Sequence, residues 1–205
     1  GDALATVQLF KLLLEKDTGK SIIQNAVKYF DRRLQKQKLR KLIDETPADL
    51  GLFFIHDENG KVIYIGRGRN VKAELNNLFL KETKRAIKIQ DRASSVTFEK
   101  SGNELFMRLK YAVELETVNP KFNFIKKRRY TTQQFNNENC IIVDKGRTTE
   151  EQAILLIENY EVTGYGYTNL NFQENNIDIL KSIVTPIDNK PLAKTITKNY
   201  LNRNK

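Results

Sequence analysis

Side chains that could bind a phosphate group follow a predicted β-hairpin. Two apolar runs, Leu52–Ile55 and Val62–Ile65, enclose the polar segment Asp57–Gly60, and its Asn-Gly pair tolerates the positive φ of a tight turn. Three basic residues come soon after the second run: Arg67, Arg69 and Lys72. Cations beside a hairpin are candidate phosphate contacts. Any antiparallel hairpin would show the same two runs, so the pattern alone does not define a function.

The distribution of charge adds to this indication. The net charge is +10, and residues 1–130 hold 27 basic and 16 acidic side chains, whereas residues 131–205 hold 8 and 9. A basic segment concentrates polyanions through long-range attraction and counterion release. Two further groups are candidate nucleic-acid contacts: Lys36, Arg40 and Lys41 on a predicted helix, and the run Lys126, Lys127, Arg128 and Arg129. Plain solubility and a solvated charge cluster are the alternatives.

Composition excludes several other classes of protein. No apolar run approaches the roughly 20 residues of a membrane span, so no membrane partner is expected. One cysteine, Cys140, excludes an internal disulfide framework and fits a reducing, cytoplasmic environment. With His56 as the one histidine, the chain cannot form a zinc site from cysteine and histidine alone.

The periodicities predict an α+β fold in three parts. Residues 1–46 should form two helices, over Asp2–Glu15 and about Ile22–Ile43. Residues 47–130 should hold the hairpin, then helix, strand and helix, in the order β-β-α-β-α around a small antiparallel sheet. Residues 131–205 should form a small α+β subdomain with three strands and two helices: Cys140–Asp144, Gln152–Ile157, Glu161–Tyr167, Asn176–Val184 and Pro191–Asn202.

The amino-acid sequence of the hairpin resembles a known nuclease motif. Gly-Leu-Phe at Gly51–Phe53 and Tyr-Ile-Gly at Tyr64–Gly66 are similar to the two halves of the GIY-YIG motif of UvrC-like endonucleases. That resemblance implies a phosphodiesterase site with one divalent metal held by a helix glutamate. It also implies hairpin tyrosines that help to deprotonate water, an arginine on the next helix, and an asparagine after the last helix.

When the sequence is aligned to that motif, three site positions match the family in type and three do not. Tyr64 matches the second tyrosine, Arg67 takes the place of a lysine, and Asn123 matches the asparagine. Three other positions depart from the family: Phe53 replaces the first tyrosine, Glu74 the arginine and Tyr111 the metal-binding glutamate. A missing acid/base group typically costs about 10²–10⁴ in rate, and a missing metal ligand removes the activated water.

These departures predict an inactive site that needs no cofactor. Mg²⁺ or Mn²⁺ would be required only if nuclease activity were retained from a shifted carboxylate. Glu114 lies three residues after Tyr111 and Glu104 seven before it, so both are predicted to share its helical face. Glu114 is the stronger candidate for such a rescue, although a solvated helical glutamate is the ordinary case.

The start of the chain resembles the last motif of the DEDD-type exonucleases. Asp2-Ala3, Ala5-Thr6 and Leu9-Phe10 are similar to the helix that carries a metal-binding aspartate in the epsilon proofreading subunit of DNA polymerase III. The resemblance implies that Asp2 is an orphan ligand, and that the sequence is the C-terminal portion of an epsilon-like 3′–5′ exonuclease fused to a GIY-YIG domain. A complete small protein with a coincidental helix is the alternative.

The expected function is therefore that of a DNA-processing protein whose GIY-YIG-like module binds DNA, or RNA, without cutting it. The upstream exonuclease domain is the expected partner within the parent chain. Two alternatives stay open: an active endonuclease with a rearranged site, and an interaction module in which residues 131–205 bind a protein. Tyrosines in that segment, including Tyr165 and Tyr167, are more simply explained as core.

Overall fold

The chain divides into two compact units in the computed structural model, Gly1–Leu42 and Ile43–Lys205. The structure describes residues 2–17, 20–124, 130–169 and 176–203, with the backbone alone at 21–23 and 25–33. Within these residues, no helix combines the length and apolar character needed to cross a membrane. The predicted boundaries at residues 46 and 130 stay a prediction.

The first part of the chain forms the two predicted helices. Helix α1 spans Asp2–Lys16 and helix α2 spans Ser21–Asp44. At the start of α1, the Thr6 hydroxyl donates a hydrogen bond to the carbonyl of Asp2 over 2.9 Å. No residue of α1 is buried, and its large apolar side chains are exposed: Leu4, Val7, Leu9, Phe10, Leu12 and Leu13.

The predicted hairpin forms two strands of a three-stranded antiparallel sheet, and its first strand lies at the centre. Strand β1 spans Gly51–His56, β2 spans Val62–Gly68 and β3 spans Ser95–Lys100, in the order β2-β1-β3. The turn follows the sequence prediction in part. Gly60 has a φ of 75° and its N–H donates to Asp57 O over 3.0 Å, whereas Asn59 does not have a positive φ. The hairpin therefore places β2 at one edge of the sheet.

Three helices follow or interrupt this sheet: α3 (Val71–Leu80), α4 (Lys84–Arg92) and α5 (Glu104–Val118). Each begins at a capping side chain, Asn70, Thr83 or Asn103, which accepts from the backbone N–H three residues further on. Such caps satisfy donors that the first turn of a helix leaves unpaired. Both α3 and α5 pack against β1 and β2.

A second antiparallel sheet has the order β4-β5-β6-β7. Its strands and the two helices that accompany them are β4 (Cys140–Lys145), β5 (Gln152–Glu158), β6 (Glu161–Thr168), α6 (Ile177–Ile183), β7 (Thr185–Pro186) and α7 (Lys190–Arg203). The two-residue strand β7 was not predicted. The predicted α+β class, with small antiparallel sheets flanked by helices, is confirmed.

Helix α5 contributes to the cores of both sheets. Met107 and Leu115 pack with residues of β1 and β2, whereas Phe106 and Leu109 belong to the larger core formed with the second sheet and α7. Tyr165 is part of that larger core and meets Phe106 edge to face at 5.9 Å. This tyrosine is therefore a core residue, as expected.

Candidate functional site

The hairpin places the two aromatic motif residues on the same face of the sheet. Phe53 pairs with Gly66 and Ile55 with Tyr64 across the β1–β2 ladder, and side chains alternate between faces along a strand. The Phe53 ring is 2% exposed and lies over Gly66, where a Cβ atom would come within 2.0 Å of the ring. Phe53 is thus a core residue that uses the space above this glycine.

Tyr64 lies in a cluster with residues from three other elements. The Phe53 ring is 6.1 Å from the Tyr64 ring, and the Arg85 guanidinium carbon lies 5.5 Å from the Tyr64 ring centroid. The same guanidinium lies 4.8 Å from the ring of Phe124. We call Phe53, Tyr64, Glu74, Arg85 and Phe124 the Tyr64 cluster.

Electrostatics in the Tyr64 cluster act on the phenol in opposite directions. Burial raises the pKa of Tyr64, and the nearby Tyr111 and Glu74 raise this pKa further. The Arg85 cation opposes them and lowers the pKa. Glu74 itself is exposed, and its side chain contacts Gly68. A Cβ atom added to Gly68 would lie 2.4 Å from the Cγ of Glu74. The phenol therefore stays protonated near neutral pH.

Arg67 and Tyr111 meet on the opposite face of β2. Arg67 comes three residues after Tyr64 in β2, so the two side chains lie on opposite faces of the sheet. The Arg67 guanidinium carbon is 4.6 Å from the Tyr111 ring centroid, a cation–π distance. The Asn123 side-chain amide is 3.4 Å from the Tyr111 hydroxyl. A neutral phenol beside a guanidinium does not fit Mg²⁺, which prefers carboxylate and carbonyl oxygens.

Asn123 fastens the outer edge of β2. Its Oδ1 accepts from Ile65 N at 2.9 Å, and its Nδ2 donates to Ile65 O at 2.8 Å. One residue earlier, the backbone N–H of Phe122 donates to Ile63 O at 3.0 Å. The side chain thus pairs backbone groups that an edge strand would otherwise leave open. This structural role is additional to the site role that the sequence suggested.

The other candidate site residues, Arg69, Lys72 and Glu104, contact protein groups outside the Tyr64 cluster. Glu104 pairs with Arg69 and, at 3.2 Å, with Arg108, and the Arg69 hydrogen bond holds the pKa of Glu104 below its usual value. Lys72 Nζ donates to the carbonyl of Asp44 at 3.4 Å. Arg69 and Lys72 stay predicted phosphate contacts, although each already has a protein contact.

Glu114 lies among different groups from Tyr111. Burial raises the pKa of Glu114. Nearby Lys110 lowers this pKa and Glu99 raises it, so the charged neighbours of Glu114 come from α5 and β3. Tyr111 instead lies against β2, beside Arg67. The helical spacing does not give the two residues the same surroundings. A metal-binding role for Glu114 stays a prediction.

Several predicted residues cannot be placed in this site. Lys126, Lys127, Arg128 and Arg129 lie outside the described residues. Asp2 is in the first turn of α1 and belongs to the other compact unit. Among the residues that the structure describes, no three histidine, cysteine, aspartate or glutamate side chains come together as a possible metal site.

Sequence reasoning missed Arg85 and Phe124. Arg85 lies near the start of α4, and its neighbours Ala86 and Ile89 form the buried side of that helix. That spacing places Arg85 at the margin of the buried face, but only the packing of α4 brings it to β2. Phe124 directly follows Asn123 and could have been found as an aromatic beside the site.

A curated relative matches a quarter of the chain. The chain is 35% identical over 51 residues to UvrABC system protein C of Borrelia hermsii (strain HS1 / DAH). The match covers 25% of this chain and 8% of that protein. No family model matches the chain. The similarity to a UvrC protein supports the resemblance that the hairpin sequence suggests.

Solved structures of a UvrC domain are also similar. The magnesium-bound GIY-YIG N-terminal endonuclease domain of UvrC from Thermotoga maritima is 24% identical, with a TM-score of 0.40, over 42% of this chain and 97% of that domain. A point mutant of that domain, bound to its catalytic divalent cation, is 25% identical over 43% of this chain and 97% of its own, with the same TM-score.

Proposed function

We propose that this protein is a DNA-processing protein whose GIY-YIG-like module binds nucleic acid and does not cleave it. The observation that carries the proposal is the environment of Tyr111. This phenol stands at the position where the resemblance calls for a carboxylate, and the Arg67 guanidinium covers its ring at 4.6 Å. A cation therefore occupies the surroundings in which a metal ion would need negative charge.

Two arginines near β2 also support the proposal that the module binds nucleic acid. Arg67 and Arg85 lie on opposite sides of β2, each over a tyrosine ring. A guanidinium binds phosphate well because its planar fork of N–H donors matches the phosphate oxygens. Together with the excess of 11 positive charges in residues 1–130, these side chains favour a polyanionic ligand. DNA is the polymer proposed, because the similar proteins are UvrC proteins.

The proposal includes an exonuclease parent. The exposed apolar side chains of α1, among them Leu4, Phe10 and Leu13, support a helix that packs within a larger domain. The upstream coding sequence tests this part. A histidine five residues before Asp2, together with two further acidic exonuclease motifs, is expected, and their absence from the coding sequence would refute the exonuclease parent.

Binding is tested by fluorescence anisotropy with a labelled DNA hairpin between 50 and 200 mM salt. Each phosphate contact contributes about −0.9 to the slope of log K against log salt concentration. Arg67→Gln should weaken binding and reduce this slope by about one. Arg203→Gln is the matched control, because it removes the same charge from an exposed position at the end of α7. Equal slopes for the two variants, or salt-independent binding by the wild type, would refute the proposal.

A further inference from the structure

The Arg85 side chain is poorly satisfied by the protein around it. Its guanidinium lies between the rings of Tyr64 and Phe124, at 5.5 and 4.8 Å. Its Nε is buried, and no acceptor among the described residues receives a hydrogen bond from it. A buried donor without a partner is uncommon in native proteins, and a bound ligand is one explanation for it.

Phe124 presents an apolar ring beside this cation. Its side chain is 75% exposed, more than any other large apolar residue that the structure describes in Ile43–Lys205. It follows Asn123, whose bidentate contact with Ile65 fixes the backbone just before it. An exposed aromatic ring on a fastened segment can stack on a nucleobase, since every base has a π-face.

We propose that Arg85 and Phe124 form a binding site for one unpaired nucleotide. The Arg85 guanidinium takes the phosphate, and the outer face of Phe124 stacks on the base. A base within a duplex has both faces covered, so Phe124 can reach only a base that is bulged, frayed or single-stranded. The inference rests on the proposed function, and it adds the class of substrate: DNA that carries an unpaired nucleotide.

Charges nearby define where the phosphate goes. Glu74 acts electrostatically on Tyr64 from α3, whereas Arg85 acts on it from α4. A phosphate is repelled on the Glu74 side and attracted on the Arg85 side. Arg85 thereby supplies from a different helix the positive charge that the resemblance expects at position 74. Glu74→Gln should consequently tighten binding slightly.

The test uses a DNA hairpin with one bulged 2-aminopurine, whose fluorescence falls when the base stacks, and a fully paired hairpin of the same length. The wild-type protein should bind the bulged hairpin more tightly and quench its fluorescence. Phe124→Leu should abolish the quenching and weaken binding of the bulged hairpin by about tenfold to a hundredfold. Phe98→Leu, at a ring 49% exposed on β3, is the matched control and should change neither property.

Arg85→Gln is compared with Arg92→Gln, which removes the same charge from an exposed position on the same helix. Arg85→Gln should weaken binding of the bulged hairpin at least tenfold more than Arg92→Gln does. Equal affinity of the wild type for bulged and paired hairpins, or unchanged quenching in Phe124→Leu, would overturn this site while leaving DNA binding intact. No binding of either hairpin at low salt would refute the proposed function itself.

Discussion

Arg147 and Arg85 each lie over a tyrosine ring, and they differ in what else they contact. Arg147 lies 4.2 Å from the ring of Tyr167 on the second sheet and forms a salt bridge with Glu151, to which its Nε donates at 2.8 Å. The Tyr167 hydroxyl donates to Ser101 O at 3.1 Å. Arg85 lies over Tyr64 with its Nε unpaired among the described residues.

This difference separates a structural contact from a binding site. The polar groups of the Arg147 side chain and of Tyr167 are satisfied by protein, so a ligand would have to displace existing bonds. Near β2, the buried Nε of Arg85 has no hydrogen-bond partner within the described part of the chain. The same pairing of residue types can therefore serve stability in one place and ligand binding in another.

Asn123 should give the largest effect, because its side chain satisfies both the N–H and the carbonyl of Ile65 at the edge of β2. Asn123→Ala leaves the N–H and the carbonyl of the buried Ile65 without partners. We expect the free energy of unfolding to fall by about 2–4 kcal/mol, measured by urea denaturation. Asn123→Asp can still accept from Ile65 N and should lose less. Equal losses in both variants would argue against the edge-fastening role.

Glu151→Gln should have the next largest effect and tests the satisfied side of the comparison. The Arg147 hydrogen bond holds the pKa of Glu151 below its ordinary value, and the carboxylate is 8% exposed. Loss of these charged hydrogen bonds should lower the free energy of unfolding by about 1.5–3 kcal/mol at pH 7. DNA affinity should stay unchanged.

The effect of Glu151→Gln depends on pH in a defined direction. A carboxylate whose pKa is lowered by folding stabilises the fold fully above its unfolded pKa of about 4.3, and this contribution is lost as the pH falls through the folded pKa. The stability difference between the wild type and Glu151→Gln should therefore be constant near neutrality and shrink below about pH 4. A difference that grows in acid would contradict the pairing with Arg147.

The smallest effect concerns the titration of Tyr64. Burial raises the pKa of Tyr64 and Arg85 lowers it, so Arg85→Gln should raise this pKa further. Glu74→Gln should lower it, because Glu74 raises the pKa in the wild type. Carbon-13 NMR of labelled tyrosine measures both shifts, with Tyr64→Phe to assign the signal. Shifts of the same sign in the two variants would show that the charges act on Tyr64 differently from this account.

Local sequence patterns predicted the fold better than the site. The strands predicted over Cys140–Asp144, Gln152–Ile157 and Glu161–Tyr167 follow from the local pattern of residues, and the structure has each of them. Arg85 could not be predicted in the same way, because its contact with Tyr64 depends on where the fold places α4.

Helical spacing alone also gave an incomplete picture of α5. It placed Tyr111 and Glu114 on a common face, yet Tyr111 packs on β2 while Glu114 has charged neighbours on β3. A helix packed between two sheets presents adjoining positions to different neighbours, and spacing does not say which neighbours these are. Whether Glu114 binds a metal ion therefore has to be tested by experiment.

The site is proposed to bind DNA and not to cut it. The most direct test is a nicking assay on supercoiled plasmid with Mg²⁺ or Mn²⁺, at a protein concentration that anisotropy shows to be saturating. We expect fully bound plasmid with no nicking above the level without protein. Nicking by the wild type that is lost in Glu114→Gln and kept in Glu116→Gln, a control at an exposed position of the same helix, would contradict it.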